Sequence, residues 1–279
     1  MYNELTPEEE YVILRKGTER AFSGEYTDNK ATGAYLCRQC DAHLYLSDNK
    51  FDSGCGWPSF DDDIPAAVKR LADADGRRTE ILCQSCDGHL GHVFHGEKMT
   101  KKDTRHCVNS LSIRFLPIEK LGRAIFASGC FWGTEYWLQK QAGVLSAVSG
   151  YIAGQTENPT YQEVCTGQTG HAEAVEVYYD KSKVDYETLA KIFFETHDPS
   201  QINRQGPDIG TQYRSGIFYL GAEQKEIAQK LIDILKSQGV DVVTELTEAS
   251  EFYPAELYHQ DYYFQKGTEP YCHIYQKKF

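Results

Sequence analysis

The sequence lacks several features that mark common classes of protein. No apolar run approaches the ~18 residues of a membrane-spanning helix, so we expect no membrane anchoring. No run of lysines and arginines forms a basic stripe, and the formal net charge is −12. Phosphate binding needs dense positive charge, which argues against nucleic acid as the main partner. The N-terminal segment MYNELTPEEE contains no secretory apolar stretch, so we expect a cytoplasmic protein.

Cysteine, by contrast, is abundant, with nine among 279 residues. In a reducing compartment these thiols are not expected to form structural disulfides. They point to metal binding or to redox catalysis.

The first part of the chain reads as mostly β. Thr6, Pro7 and Glu9 predict a capped helix that runs to about Lys16. From there to residue 115, short aromatic and β-branched segments alternate with turn signals, which predicts mostly antiparallel strands. Asp75-Gly76 predicts a hairpin turn.

The sequence pattern changes near residue 123, after which predicted strands and amphipathic helices are mixed. The strands are 123–128, 174–180 and 215–220, and the helices are 133–143, 185–197 and 221–239. We expect a C-terminal two-layer α/β (α+β) sandwich. The predicted organisation is an N-terminal domain of residues 1–117, a linker of residues 118–122 and a C-terminal domain of residues 123–279.

Two C-x2-C pairs predict a metal site: Cys37 with Cys40, and Cys83 with Cys86. Four thiolates can close a tetrahedral zinc cage with bonds of roughly 2.3 Å. Such a site leaves no open coordination position, so the zinc is expected to be structural. The alternatives are two C-x-x-C redox pairs or simply buried thiols.

Two further cysteines of this half have the properties of an attacking and a resolving thiol. Arg105 precedes Cys107 by two residues, so on a strand both side chains share a face, and the cation lowers the pKa of the thiol. Asn109 lies on the same face and can hydrogen-bond a polar substrate group. Cys55 lies between two glycines in a flexible loop.

The segments CRQC, SGCGWPSF, CQSCDGHLGHVF and RHCVNSLSIRF together resemble methionine sulfoxide reductase B across residues 1–116. The resemblance implies that Cys107 is catalytic, that Cys55 resolves its oxidised form and that the two C-x2-C pairs bind zinc. It also places Trp57 against the substrate methyl group, although a core aromatic is the alternative for this residue. The polar side chains that it implies in the site are His92, Arg105 and Asn109, supported by His89.

In the second half, Cys130 lies in SGCFWGTEYW, at the start of a predicted helix. A thiol at a helix N-terminus faces free N–H groups and the positive end of the dipole, which favours the thiolate. Phe131 and Trp132 can wall a pocket for a small alkyl group. On local sequence alone, a buried structural cysteine is an equal alternative.

GCFWGTEYW, NPTYQEVCTG, TGHAEAVEV, GPDIGTQYRSGIF and PYCHIY, in this order, resemble methionine sulfoxide reductase A over roughly 123–275. By that resemblance Cys130 is the nucleophile and Glu173 is the acid that protonates the sulfoxide oxygen. The side chains that it places around them are Tyr161 and Tyr213 as hydrogen-bond donors, Asp208 as support, and Phe131 and Trp132 around the methyl group. The apolar neighbours of Glu173 make a raised pKa plausible.

Attack leaves Cys130 as a sulfenic acid, which needs a second thiol. Cys272, on what we expect to be a mobile tail, is the candidate, although Pro270 stands where the family often has glycine. We expect Cys165 to be a passive buried thiol.

The chain therefore resembles a fusion of two reductases. The resemblance implies that the N-terminal half reduces the R-epimer of methionine sulfoxide and the C-terminal half the S-epimer. A thioredoxin-like dithiol recycles both, with structural zinc and no organic cofactor. The alternatives are a thiol peroxidase or disulfide reductase that uses the same cysteines, and a zinc-ribbon adaptor.

Overall fold

The computed structural model describes residues 2–73 and 76–279, and the chain divides into two units. The first ends at Leu121 and the second is Gly122–Phe279. The division falls within residues 118–122, although the exact domain limits stay a prediction.

The N-terminal unit is built from two antiparallel sheets. One has the strand order β2-β1-β9 and the other the order β3-β4-β8-β7-β6-β5. The elements of the described residues are α1 (Pro7–Ile13), β1 (Gly33–Cys37), β2 (His43–Leu46), β3 (Lys50–Phe51), β4 (Ser59–Phe60), β5 (Val68–Ala72), β6 (Thr79–Cys83), β7 (His89–His95), β8 (Thr104–Val108) and β9 (Ile113–Pro117), with 3-10 turns at Ser47–Asn49 and Ser110–Ser112. The predicted strand-rich, antiparallel character is confirmed.

Local signals in this unit act as the sequence predicts. Thr6 and Glu9 form a reciprocal capping box at the start of α1, although the helix ends at Ile13 and not near Lys16. β5 and β6 form the expected hairpin, with Ala72 opposite Thr79. Of the predicted turn, Asp75 lies outside the described residues.

The core of the N-terminal unit is aromatic. Tyr45 and Phe60 stack with ring centroids 4.3 Å apart, and Tyr35 meets Phe60 edge-on at 5.0 Å. These rings are fully buried, and buried aromatics of this size contribute much of the energy of a small core. They hold together the two sheets that carry the cysteines.

The C-terminal unit is an α/β fold around one sheet of order β16-β15-β10-β12-β11-β17. Its elements are β10 (Leu121–Ser128), α2 (Phe131–Gln139), β11 (Val144–Ile152), α3 (Tyr161–Cys165), β12 (Ala172–Asp180), α4 (Tyr186–Glu195), β13 (Arg204–Gln205), β14 (Asp208–Ile209), β15 (Ser215–Tyr219), α5 (Ala222–Ser237), β16 (Glu245–Glu248), β17 (Phe252–Pro254) and α6 (Tyr262–Lys266), with 3-10 turns at Thr211–Tyr213 and Leu257–His259. β15 and β16 are parallel, whereas β11 pairs antiparallel with β12 and with β17.

The helices pack on this sheet through an apolar cluster. Phe193 of α4 and Leu231 of α5 share that cluster with Phe126 of β10 and Val177 of β12, and all four are buried. The α/β class is confirmed, and the site residues are carried at strand ends and in the loops between them. Among the described residues the longest helix is the 16-residue α5, and none has the length and apolar character needed to cross a bilayer.

Candidate functional sites

Four cysteine side chains converge at one point of the N-terminal unit. The sulfur atoms of Cys37, Cys40, Cys83 and Cys86 all lie within 4.8 Å of one another. The Sγ atoms of Cys37 and Cys86 are 3.6 Å apart, as are those of Cys40 and Cys83. A tetrahedron of zinc–sulfur bonds of roughly 2.3 Å requires sulfur atoms about 3.8 Å apart, so this thiol set fits a zinc ion.

Two matching turns create this convergence. In each turn, the backbone carbonyl of the first cysteine accepts a hydrogen bond from an aspartate whose backbone is in the left-handed conformation. Asp41 N–H donates to Cys37 O and Asp87 N–H donates to Cys83 O, both at 2.9 Å. The repeated segment C-x-x-C-D thus folds twice in the same way, at the ends of β1 and β6. The hydrogen bonds within the two turns therefore bring the four predicted ligands together.

A second cysteine pair lies in the other sheet. Cys107 is on β8, Cys55 is in the loop between β3 and β4, and their Sγ atoms are 3.8 Å apart. The loop needs its glycines: Gly56 has φ +90, and a Cβ there would lie 2.9 Å from Phe22 N. The two sulfur atoms need to move only a short distance towards each other to form a disulfide.

Arg105 lies beside this pair and is held from two sides. Glu97 accepts from Nε at 2.7 Å and from Nη2 at 2.9 Å, and the guanidinium lies over the Phe94 ring at 4.5 Å. The remaining Nη1 donates to Cys55 Sγ at 3.5 Å. The cation is thus fixed in the thiol site by a bidentate ion pair.

The two thiols share one proton unequally. The hydrogen bond with Cys107 lowers the pKa of Cys55 to about 4. The same bond, together with burial, raises the pKa of Cys107. The sequence predicts a lowered pKa at Cys107, and this expectation is wrong for the resting pair. The thiol that donates keeps its proton and the thiol that accepts becomes the anion.

The predicted histidines face this pair from β7. His92 is directly opposite Cys107 in the ladder, and its Nε2 is 2.9 Å from Asp73 Oδ2. His89 is buried and donates from Nδ1 to Glu80 at 2.7 Å. Burial lowers the pKa of His89. The two ring centroids are 5.6 Å apart, so the His89 ring packs edge-on against that of His92.

Glu19 connects Trp57 and Asn109, although the sequence analysis did not single it out. Its carbonyl accepts from Trp57 Nε1 at 3.2 Å, and its N–H donates to Asn109 Oδ1 at 3.1 Å. Asn109 Nδ2 in turn donates to Leu90 O at 3.0 Å, and this side chain is only 3% exposed. Both ends of the Asn109 side-chain amide are therefore hydrogen-bonded within the protein. The sequence instead predicts a hydrogen bond from this side chain to the substrate.

In the C-terminal unit, Cys130 is the N-cap residue of α2. The first N–H of the helix, that of Phe131, donates to Glu173 Oε2 at 3.2 Å. Glu173 is on β12 and only 2% exposed. The helix N-terminus thus binds the carboxyl group and brings it next to the thiol.

The protonation of this pair follows from burial. Burial raises the pKa of Glu173 to about 8, against the opposing hydrogen bond from Phe131. Burial, followed by the charge of Glu173, raises the pKa of Cys130. The raised pKa of Glu173 agrees with the prediction. The lowered thiol pKa expected from the helix N-terminus is not found, because burial and then the charge of Glu173 outweigh the hydrogen bond from the backbone of Trp132 to the thiol.

Tyr161, Tyr213 and Asp208 are part of the same electrostatic environment. Burial and then the Glu173 charge raise the pKa of Tyr213, and burial and then Cys165 raise that of Tyr161. Both hydroxyls therefore remain protonated donors at neutral pH. Asp208 Oδ2 is buried and has no hydrogen-bond partner among the described residues. Burial raises its pKa.

Phe131 and Trp132 are organised by a histidine that sequence reasoning missed. His259 Nδ1 accepts from Trp132 Nε1 at 3.2 Å, and the ring lies 5.1 Å from Phe131 and 4.5 Å from Tyr161. Tyr262 stacks flat on Trp132 at 3.7 Å. His259 stands in a segment without apolar periodicity, so no local signal identified it.

Cys272 is held in place, in contrast to the expected mobile tail. Its Sγ is 3.1 Å from His273 Nδ1, and His273 Nε2 is 2.7 Å from Ser128 O. Trp137 Nε1 donates to His273 O at 2.8 Å. Burial raises the pKa of Cys272 to about 11. The remaining thiol, Cys165, is exposed at the end of α3, so the prediction of a buried thiol is wrong.

Comparison with known families agrees with this division of the chain. Residues 122–279 match the family model described as peptide methionine sulfoxide reductase, and residues 5–117 match that of the SelR domain. The chain belongs to the peptide methionine sulfoxide reductase family. Both resemblances noted in the sequence are confirmed.

Individual members of the reductase family show the same likeness. The peptide methionine sulfoxide reductases MsrA of Nautilia profundicola and Pasteurella multocida are each 53% identical to this chain, over 54% of its length and 87% and 88% of theirs. The crystal structure of reduced Mxr1 from Saccharomyces cerevisiae is 34% identical with a TM-score of 0.53, and the match covers 57% of this chain and 94% of that one. These relatives match the part of this reductase that contains Cys130.

Proposed function

We propose that the chain is a bifunctional enzyme whose two units each reduce one epimer of methionine sulfoxide to methionine. The observation that carries the proposal is the same constellation found twice. In each unit a thiol lies near a second thiol and near a group that can serve the departing oxygen, which supports the proposal. Peptide methionine sulfoxide reduction is the activity of the family to which the chain belongs.

In the C-terminal unit, Cys130 attacks the sulfoxide sulfur and Glu173 gives its proton to the oxygen. The oxygen passes to Cys130, which becomes a sulfenic acid, and the substrate leaves as methionine. Tyr161 and Tyr213 donate to the oxygen, while Asp208 supports the site. The wall formed by Phe131 and Trp132 takes the methyl group. The raised pKa of Glu173, about 8, supports its role because an acid must still hold its proton near neutral pH.

Resolution then regenerates the C-terminal site. Cys272 attacks the sulfenic acid, water leaves and a disulfide forms. The charges of Cys130 and Cys272 lie close enough for that of Cys272 to raise the pKa of Cys130. This proximity supports the pairing.

In the N-terminal unit, Cys107 attacks as its proton passes to the Cys55 thiolate along the hydrogen bond between them, and Cys55, then a thiol, resolves the sulfenic acid. Arg105 stabilises the negative charge that the two thiols share, and His92 serves the departing oxygen with His89 behind it. Trp57 faces the methyl group. Asn109 is a positioning residue, because both ends of its amide are bonded to backbone. The 3.8 Å between the sulfur atoms supports rapid closure of the disulfide.

The N-terminal unit takes the R-epimer and the C-terminal unit the S-epimer. Sulfoxide sulfur is a stereocentre, so one pocket cannot place methyl, oxygen and side chain correctly for both hands. The reductant is a dithiol of the thioredoxin class, which reopens each disulfide by exchange. A reducing, cytoplasmic setting suits this cycle.

The four-cysteine cluster binds a structural zinc ion. Its ligands are Cys37, Cys40, Cys83 and Cys86, and the mutual distances of their sulfur atoms support the assignment. All four positions of a tetrahedron are filled by protein, so the ion supports the fold and takes no part in the reaction.

Separated epimers test this function. Wild type, Cys130→Ser and Cys107→Ser are assayed with each epimer and dithiothreitol. We expect Cys130→Ser to lose only S-epimer reduction and Cys107→Ser only R-epimer reduction. Loss of both activities in either variant would contradict two separate sites. Wild type that consumes hydrogen peroxide but neither epimer would be a thiol peroxidase, and wild type with no turnover at all would favour an adaptor.

A further inference from the structure

His273 connects the two redox cysteines of the C-terminal unit. The residue follows Cys272 in the tail and is only 1% exposed. One ring nitrogen reaches the carbonyl of Ser128, at the end of the strand that leads to Cys130, at 2.7 Å. The other lies 3.1 Å from the Cys272 sulfur.

These two contacts fix the tautomer of the ring. A backbone carbonyl can only accept, so the proton must be on Nε2. Burial lowers the pKa of His273 to about 4, which keeps the ring neutral. Nδ1 therefore holds a lone pair, and the Cys272 thiol donates its hydrogen bond to it.

We propose that His273 accepts the proton of Cys272 when this thiol attacks the sulfenic acid of Cys130. The inference rests on the proposed function of the C-terminal unit. A thiol attacks as its anion, and buried Cys272 would otherwise ionise very little at neutral pH. The position of Nδ1 supplies a base at the reacting sulfur atom.

The step balances without an added reagent. The S–H bond of Cys272 breaks and its proton passes to Nδ1. The new S–S bond forms as the S–O bond of Cys130 breaks, so Cys272 is oxidised and the Cys130 sulfur is reduced. The departing hydroxide takes the proton from the ring and leaves as water. The low pKa that burial imposes on His273 favours this second transfer.

The titratable side chains that interact electrostatically with the ring or with the Cys272 thiol include His197, Cys130, Tyr263, Tyr271, Asp208 and Glu173. His197 interacts with the ring, and burial lowers the pKa of His197 to about 3, so it stays neutral. On the side of Cys272, the charges of Asp208 and Glu173 raise the pKa of the thiol after burial. Gly133 of α2 lies directly under Nδ1, and Trp137 anchors the backbone of His273.

A single-turnover experiment on the full chain separates attack from resolution. The protein is mixed with methionine S-sulfoxide without reductant and quenched with acid at intervals. Methionine is then measured, and the Cys130–Cys272 disulfide is quantified by peptide mass spectrometry after thiol alkylation. His273→Gln is the test variant, because glutamine can still donate to Ser128 O but is not a base. Trp137→Phe is the control, because it removes an anchor of the tail and leaves Nδ1.

We expect His273→Gln to release methionine at the wild-type rate but to form the disulfide about a hundredfold more slowly at pH 7. In this variant the rate of the step from methionine release to the disulfide should rise about tenfold per pH unit as Cys272 ionises, whereas in wild type the rate of that step stays nearly flat from pH 6 to 9. Trp137→Phe should show no such slope.

Two results would overturn the proposal. If disulfide formation in His273→Gln matches wild type, or is slowed equally at every pH, His273 is not the base, and the proposed function is not contradicted. If wild type releases no methionine in the first turnover, the proposed function is wrong, and the proposed role of His273 is wrong with it.

Discussion

At Glu173, a carboxyl group, a helix N-terminus and a thiol meet in a buried site. We expect Glu173→Gln to slow the first turnover of the S-epimer by about 10²- to 10⁴-fold, because glutamine cannot protonate the departing oxygen. Methionine released in a single turnover without reductant is the measurement. Cys130 should become easier to alkylate in the variant, since a charge that raises its pKa is gone. A variant that reduces the S-epimer within threefold of wild type would exclude Glu173 as the acid.

The pH dependence of this step follows from the two raised pKa values. The reactive pair holds one proton, on Glu173, with Cys130 as the thiolate. Below about pH 8 both groups are protonated, and the pair loses one proton as the pH rises through the pKa of Glu173. The wild-type rate should therefore rise up to about pH 8 and then level off. In Glu173→Gln it should continue to rise above pH 8, because only Cys130 titrates.

Glu97 orients the cation of the N-terminal site. Glu97→Gln keeps the size of the side chain but removes the charge that binds Arg105 through two hydrogen bonds. We expect R-epimer reduction to fall by about tenfold to a hundredfold, since a small misplacement of a catalytic group has an effect of that order. Reduction of the S-epimer by the same sample is the internal control. Unchanged R-epimer kinetics would show that Phe94 alone positions the guanidinium.

The sequence points to the proposed reacting groups more directly than to the groups around them. Cys107, Cys130 and Glu173 stand in local patterns that carry their chemistry. Glu19, Glu97, His259 and His273 do not, because each acts on a partner that only the fold brings near. The direction of the pKa shift at Cys107 differs from the sequence prediction for the same reason, since Cys55, the thiol that accepts its hydrogen bond, is far away in the chain.

At the scale of elements, helix α2 and the tail meet at Gly133. A Cβ at this position would lie 2.2 Å from His273 Nδ1, so Gly133→Ala must displace the ring. Because alanine is more favourable than glycine in a helix interior by about 1 kcal/mol, the substitution should not destabilise α2 itself. We expect normal methionine release in the first turnover and disulfide formation slowed at least about tenfold, as the quenched reaction measures.

Gly221→Ala is the matched control for this helix contact. A Cβ at Gly221 has no neighbour within 4 Å, so both steps should keep their rates. Equal disulfide rates in Gly133→Ala and wild type would show that the ring can move without loss of function.

Most elements were predictable because they carry strong local signals. The capping box at Thr6 and the amphipathic pattern of α5 led to correct types and near-correct bounds. The sequence pattern does not predict strand β11, because Ser146, Ser149 and Gly150 interrupt its apolar alternation. The strand forms because β12 and β17 flank it. Position at the end of the chain predicts a mobile tail, yet the hydrogen bonds of His273 to Ser128 and Trp137 hold this segment.

At the scale of the whole molecule, each unit has its own buried core and its own proposed pair of redox thiols. The four-cysteine cluster belongs to the N-terminal unit alone. A defect at the cluster should therefore act on one activity and leave the other, which makes the second activity a control within the same chain.

Zinc removal tests this independence. Structural zinc contributes an apparent ~10–16 kcal/mol in small metal domains, comparable with the ~5–15 kcal/mol that stabilises a typical domain. We therefore expect Cys40→Ser, or a strong chelator, to unfold the N-terminal unit and abolish R-epimer reduction while S-epimer reduction persists. Metal analysis, thermal unfolding and the two epimer assays on the same samples are the measurements.

Cys165→Ser is the control for zinc removal, because it removes an exposed thiol outside the cluster. It should keep one zinc per chain and both activities. R-epimer reduction that survives complete loss of zinc would mean that the cores of the two sheets hold Cys107, Cys55 and Arg105 in place without the ion. The loss of R-epimer reduction alone would show instead that the hairpin ends at Cys37–Cys40 and Cys83–Cys86 need the metal, because four thiols so close together have no other strong attraction between them.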